Sequence, residues 1–180
     1  GKFSLKPDFN TKLGFYNTAG GFRLASSLNS GNMGHGARFL FCDDPNNLTR
    51  LKSDEERQAV YNCWQQVLIS RSKDERKFSV CVGQQRTHSY DLTGHIIEDD
   101  STGKWTHLFL PMEYEKDWSC TTYGPMRNGE RKKIWSDPRK KEKQLLWPEK
   151  IDAQTLINRK ADFGWREELI AGQLQQRPAP

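Results

Sequence analysis

No stretch of this 180-residue sequence approaches the roughly 20 consecutive apolar residues that span a bilayer, so no transmembrane helix is expected. Its opening residues, Gly1-Lys2-Phe3-Ser4, lack an apolar core like that of a secretory leader, which makes a cytosolic location the default expectation. The four cysteines (Cys42, Cys63, Cys81, Cys120) form no C-x-x-C pair, whereas structural zinc sites usually draw on such close pairs. Cys42 and Cys81 lie inside apolar runs, and buried reduced thiols behaving as small hydrophobes are the expectation. His88 and His95 are spaced too widely for a helical metal pair. The phosphate-cradling pattern G-x-x-x-x-G-K-[ST] is also missing. Gly31-Asn32-Met33-Gly34-His35-Gly36 imitates its glycines without the lysine, and Gly1-Lys2 and Gly103-Lys104 run into Phe and Trp. No internal repeat is present.

What remains is ample for a folded domain. Apolar residues make up 34% and charged residues 28%, and six Trp with nine Phe argue against disorder. The net charge of +5 is concentrated between positions 127 and 143. Eight basic residues there (Arg127, Arg131, Lys132, Lys133, Arg139, Lys140, Lys141, Lys143) face three acidic ones (Glu130, Asp137, Glu142), which accounts for the whole excess. Such a patch suits a phosphate backbone, and suits a solvated loop equally well.

Apolar patterning predicts an α/β chain. Short strands at 13–17 and 22–26 flank Gly20-Gly21, and a glycine loop at 29–36 follows. Phe39-Leu40-Phe41-Cys42, continuous rather than alternating, predicts a strand buried on both faces that stops at Asp43-Asp44-Pro45. The spacing of Val60, Cys63, Trp64, Val67 and Leu68 predicts a helix over 53–70, opened by a Ser53/Glu56 capping box. A strand at 78–82, a helix at 91–98 and a strand at 106–110 complete the alternation of a parallel sheet. Residues 112–144 read as an irregular charged excursion. Leu145-Leu146-Trp147-Pro148 reads as a short apolar anchor, followed by helices near 152–160 and 165–175.

The chemistry concentrates where these strands end, the edge at which α/β sheets bind ligands. Adjacent carboxylates on an extended chain point to opposite sides, so Asp43 and Asp44 suit two different tasks. In nucleotide hydrolysis the first holds Mg²⁺ through water and the second orients or deprotonates the attacking water. The alternative is an Asp-Asp-Pro turn in which Asp bonds its own backbone. Gln84, Gln85 and Arg86, at the end of the following strand, would then touch a γ-phosphate or its water.

The order of motifs resembles the ATPase half of phage terminase large subunits. The resemblance runs through Phe15-Tyr16-Asn17-Thr18-Ala19-Gly20-Gly21-Phe22-Arg23, the glycine loop, Phe39 to Pro45, and Gln85-Arg86-Thr87-His88. It continues through Asp91-Leu92-Thr93-Gly94-His95, Leu110-Pro111 with Glu113, Leu146-Trp147-Pro148-Glu149, and Gln175 to Pro180.

That resemblance implies a partial P-loop NTPase fold of the RecA-like type, with a mainly parallel sheet flanked by helices. It places Asp43 and Asp44 in a Walker B motif and residues 84–86 in a motif coupling hydrolysis to DNA movement. Residues 1–111 would be part of the ATPase core, and 112–180 a basic excursion and linker. The phosphate cradle would precede the chain and a nuclease domain would follow it, so these residues alone are not expected to hydrolyse ATP. Where relatives carry an arginine this sequence has His35, leaving Arg23 or Arg38 to supply charge from a neighbouring subunit. ATP and Mg²⁺ are the implied cofactors. The implied partners are double-stranded DNA, a portal protein, a small terminase subunit and further copies in a ring, docked at a procapsid in the host cytoplasm. DNA contacts would fall to Lys132, Lys133, Arg139, Lys140 and Lys141. Two other functions compete: a metal-dependent nuclease recruiting Asp91 or Glu113 as a further carboxylate, and a non-catalytic DNA- or protein-binding module built on the basic patch.

Overall fold

The computed structural model describes residues 2–28, 35–47 and 53–178. They fall into two compact units, Gly1–Leu40 with Asn62–Ser79 and Phe41–Tyr61 with Val80–Pro180, in a mixed α/β architecture of small sheets. Among the described residues no helix is long and apolar enough to cross a membrane.

In the first unit, β1 (Leu5–Asn10), β2 (Gly14–Asn17) and β3 (Phe22–Leu24) form an antiparallel sheet in that order. The Gly20-Gly21 signal is answered by a tight turn in which Gly20 takes φ +81°. The Asn17 side chain accepts the Ala19 and Gly21 amides at 3.0 and 2.8 Å. β1 is unforeseen in the sequence, because all its residues are exposed and Pro7 limits it to an edge position. Most of the glycine loop, residues 29–34, lies outside the described residues.

The helix expected at 53–70 is present. α1 (Asp54–Cys63) runs directly into a wide π-type turn at Trp64–Leu68 and a tight one at Ile69–Arg71. Ser53 caps it by accepting the Glu56 amide at 3.3 Å, while the Ser53 hydroxyl donates to Glu55 at 2.7 Å. Trp64 and Leu68, from the apolar stripe, are buried.

β4 (Phe39–Asp43) and β5 (Ser79–Gly83) pair in parallel. The Ser79 amide donates to Arg38 O at 2.9 Å, and the Asp44 amide to Gly83 O at 2.8 Å. The expectation of burial on both faces is corrected here. Phe39 and Phe41 are 60% and 55% exposed while Cys42 is buried, so only one face of β4 is covered. The thiol expectation changes with it: none of the four cysteines is in a disulfide, but Cys81 is exposed.

The second unit also contains α2 (Leu92–Glu98), whose buried Leu92 and Ile96 anchor it. The strand expected at 106–110 is not one. Side chains replace its ladder, with Thr122 Oγ1 donating to His107 O and the Phe109 amide donating to Cys120 Sγ. Conversely, the excursion is more regular than expected. β6 (Thr121–Tyr123) and β7 (Lys133–Ser136) make an antiparallel hairpin whose tip holds Asn128 and Gly129 at φ +52° and +79°. Among the described residues, parallel pairing is limited to β4–β5 and an isolated bridge between Ala37 and Ser72, and the other two sheets are antiparallel, so the expected mainly parallel sheet is not formed there. Of the expected anchor at 145–148, Leu145 is half-buried and bridges to Glu113, whereas Leu146 and Trp147 are exposed. α3 (Ala153–Asp162), capped by Asp152 on the Thr155 amide, and α4 (Glu167–Leu169), extended by a wide turn at Ile170–Leu174, correspond to the last two expected helices.

Candidate functional site

Because β4 and β5 are parallel neighbours, the polar groups that end them are brought together. Asp43 is the last residue of β4; it is exposed, and its carboxylate has no hydrogen-bonded partner among the described residues. Asp44 leaves the strand with φ +39°, a left-handed conformation that Asp tolerates better than most residues. Its backbone amide stays on Gly83 O, and its Oδ1 accepts the Gln85 amide at 3.0 Å. The Asp44 side chain thus spans the ends of the two strands. On the other side, a Cβ added at Gly83 would lie 3.9 Å from Asp43 Oδ1, so the end of β5 also borders the first acid.

The three residues after Gly83 have three different environments. Gln84 is held between elements: its Nε2 donates to Asn46 Oδ1 at 3.3 Å and its Oε1 accepts Thr93 Oγ1 at 3.1 Å. Buried Asn46 also accepts the Leu92 amide at 2.9 Å, tying the turn after β4 to the start of α2. Gln85 is exposed, so of the three it alone presents its side chain to solvent next to Asp44. Arg86 turns inward, donating from Nε to Asp91 Oδ2 at 2.9 Å and from NH2 to Ser89 O at 3.4 Å.

Asp91 is 0% exposed, and several donors converge on it. Besides Arg86, it accepts the Thr87 amide at 3.3 Å and caps α2 through the Gly94 amide at 2.9 Å. A fully buried carboxylate costs several kcal/mol to desolvate unless paired and hydrogen-bonded, and this arrangement supplies both. Gly94 makes the fit possible, since a Cβ there would meet Ser89 O at 1.9 Å. The Thr87 hydroxyl is enclosed and has no hydrogen-bonding partner among the described residues.

These placements decide what each residue can do. Asp43, Asp44 and Gln85 form an open, solvent-facing edge, whereas Gln84 and Arg86 are engaged in holding it. Sequence reasoning missed Asn46, and nothing local signals it. It also missed Asp91 as the partner of Arg86, although a helix beginning at position 91 was expected. Asp91 and Glu113, the carboxylates a nuclease would recruit, are both committed: Asp91 to Arg86, and Glu113 to Lys160. Among the described residues no group of three or more His, Cys, Asp or Glu side chains is arranged to hold a metal ion. A Mg²⁺ held largely by water through one or two carboxylates needs no such group, and the unpartnered Asp43 fits that role.

The basic patch divides in the same way. Arg139 is 6% exposed and makes a forked pair with buried Asp137, with Nε and NH2 at 3.0 and 2.7 Å from its two oxygens. Its NH1 donates to the Met112 and Gln144 carbonyls, and the guanidinium lies over the Tyr114 ring. Arg139 is therefore a structural strut and is withdrawn from the expected DNA contacts. Lys132, Lys133, Lys140 and Lys141 are exposed. Arg23, on β3, and Arg38, just before β4, are exposed residues of the first unit.

No protein-family model, curated protein or solved structure matches this chain.

Proposed function

We propose that this chain supplies the magnesium-acid and coupling part of a viral genome-packaging motor, in which ATP hydrolysis drives double-stranded DNA into a procapsid. One observation carries the reading: two adjacent carboxylates stand at the tip of a strand, and the second of them, Asp44, is bonded to a glutamine-bearing segment at the tip of its parallel neighbour. That is the geometry a P-loop NTPase uses to hold a metal, activate a water and report the state of the phosphate. On this reading the fold is part of a RecA-like NTPase core.

The roles follow from exposure. Asp43, unpartnered, holds Mg²⁺ through water. Asp44 orients the attacking water and accepts its proton. Gln85 senses the γ-phosphate side, while Gln84 and Arg86 keep Gln85 in place from behind. Bound MgATP supplies the phosphoanhydride that is cleaved. The lysine-bearing phosphate cradle is contributed from outside these 180 residues, as is the trans-acting arginine if Arg23 and Arg38 of a neighbouring copy do not provide it. DNA runs along the exposed lysines at 132, 133, 140 and 141. A portal protein, a small terminase subunit and further copies of the motor complete the assembly.

The test is a packaging reaction with procapsids, duplex DNA, ATP and the polypeptide carrying the cradle. Asp44→Asn is expected to reduce ATP turnover by about 10²-fold or more, in the range of general-base removal, and to abolish DNase-protected DNA. Wild-type packaging by Asp44→Asn would overturn the proposal, as would Mn²⁺-dependent nicking of plasmid by the purified chain that is lost in Asp43→Asn.

A further inference from the structure

The coupling residues are held not only by β4 and α2 but also by the far end of the chain. The Arg86 amide donates to Gln176 Oε1 at 3.3 Å, across 90 positions of sequence. Gln176 has φ +54°, a left-handed conformation that a helix end normally assigns to glycine or asparagine. A non-glycine residue there stores strain that persists only where the surroundings require it. Here the strained backbone places the one side chain that reaches the Arg86 amide. The approach is close, since a Cβ at Gly172 would lie 2.8 Å from Arg86 O. The Ser89 hydroxyl adds a bond to Pro178 O at 3.3 Å.

The neighbouring residue faces the other way. Gln175 is 4% exposed, and its amide pairs with the Glu113 backbone in both directions, accepting the amide and donating to the carbonyl at 3.0 Å each. Its own carbonyl accepts Trp118 Nε1 at 2.7 Å, and its side chain also donates to Glu115. Arg177 adds a bond to Glu115 at 2.8 Å and lies over the Trp118 ring. The Met112 amide donates to Leu174 O at 2.7 Å. Residues 174–177 therefore grip the loop after β5 with one glutamine and the start of the basic segment with the other.

We infer that Gln175 and Gln176 are positioning residues that transmit movement of the 84–86 loop to the basic segment beginning at Met112. A helix cap alone requires no side chain at position 176, and glycine would be less strained there. The side chain makes two bonds: Nε2 donates locally to Gln173 O at 3.3 Å, and Oε1 reaches across to accept the Arg86 amide. The consequence for DNA movement rests on the motor reading proposed above, whereas the physical link does not.

Two arms of one experiment separate them. In the 180-residue chain, Gln176→Gly and Gln176→Asn favour the left-handed conformation but do not reach Arg86. Thermal stability is expected to be no lower than the parent's, while hydrogen exchange at the Arg86 amide rises about tenfold, the scale of one missing hydrogen bond. Gln176→Glu retains the acceptor and should restore protection. Unchanged Arg86 exchange in Gln176→Gly, or equal loss in Gln176→Glu, would overturn the link. In the packaging reaction, Gln176→Gly is expected to hydrolyse ATP but protect several-fold less DNA per ATP consumed. A normal ratio there, with the exchange result intact, overturns transmission, whereas absence of DNA-dependent turnover in the wild type overturns the motor reading.

Discussion

The Asp44 carboxylate accepts the backbone amide of Gln85 at 3.0 Å, while the Asp44 amide donates to Gly83, so one residue holds the ends of two strands in register. Structure and chemistry at position 44 are separable for this reason.

Asparagine keeps the acceptor and tolerates φ +39°, whereas alanine loses the bond and is strained. Asp44→Asn is expected to change unfolding free energy by less than about 0.5 kcal/mol and Asp44→Ala to lower it by about 1–2 kcal/mol. Urea titration of the purified chain measures both. Equal losses would place the role of Asp44 in its charge rather than in the Gln85 bond.

Asp91 carries more of the fold than either exposed acid. Removing one partner of a buried pair leaves the other uncompensated, so Asp91→Ala should cost about 3–5 kcal/mol. Thr87→Val makes the contrast, because it removes an enclosed hydroxyl that has no partner among the described residues. It should be neutral or stabilising by up to about 1 kcal/mol. Clear destabilisation in Thr87→Val would show that the hydroxyl is bonded.

Within the basic patch, stability and DNA binding are expected to part company. Arg139→Ala orphans Asp137 and should destabilise by about 3–5 kcal/mol. Glutamate at Lys132, Lys133, Lys140 and Lys141 should leave the unfolding midpoint nearly unchanged while weakening duplex binding. The slope of log affinity against log salt should become shallower by about 0.9 for each phosphate no longer neutralised. Fluorescence anisotropy at several salt concentrations measures it, and an unaltered slope would make these lysines bystanders.

Burial, and then the charge of Arg86, hold the His107 imidazole below its ordinary proton affinity near pH 6.5. Burial and the Arg57 charge do the same for His88. On acidification the unfolded chain binds these protons before the folded one. The stabilisation is therefore complete above about pH 7, declines as pH falls below about 6.5, and levels off once the folded-state values are passed. His107→Gln should flatten that decline in urea midpoints between pH 7.5 and 5, leaving the His88 share.

Much of the site was legible because abrupt changes in chemistry mark strand ends. Phe-Leu-Phe-Cys stopping at Asp-Asp-Pro locates β4, and the helices expected at 91–98 and near 152–160 correspond to α2 and α3. Burial was less legible: the apolar run of β4 shows affinity for a core, but not whether both faces meet one. Asn128-Gly129 is a strong hairpin signal, yet the charges around it favoured an irregular reading. Arg139 resembles its neighbours in sequence and differs through Asp137, the Met112 and Gln144 carbonyls and the Tyr114 ring. Long-range bonds such as Gln176 to Arg86 leave no local trace.

At Gly94 the opening turn of α2 lies so near the Ser89 carbonyl that even a methyl group would force the two backbones apart. That missing atom lets the helix settle onto the 86–91 loop and keeps the Asp91 carboxylate within reach of Arg86. A residue with no functional group of its own thereby governs how tightly the inner wall of the site can shut, and the smallest possible enlargement there should loosen everything the wall supports.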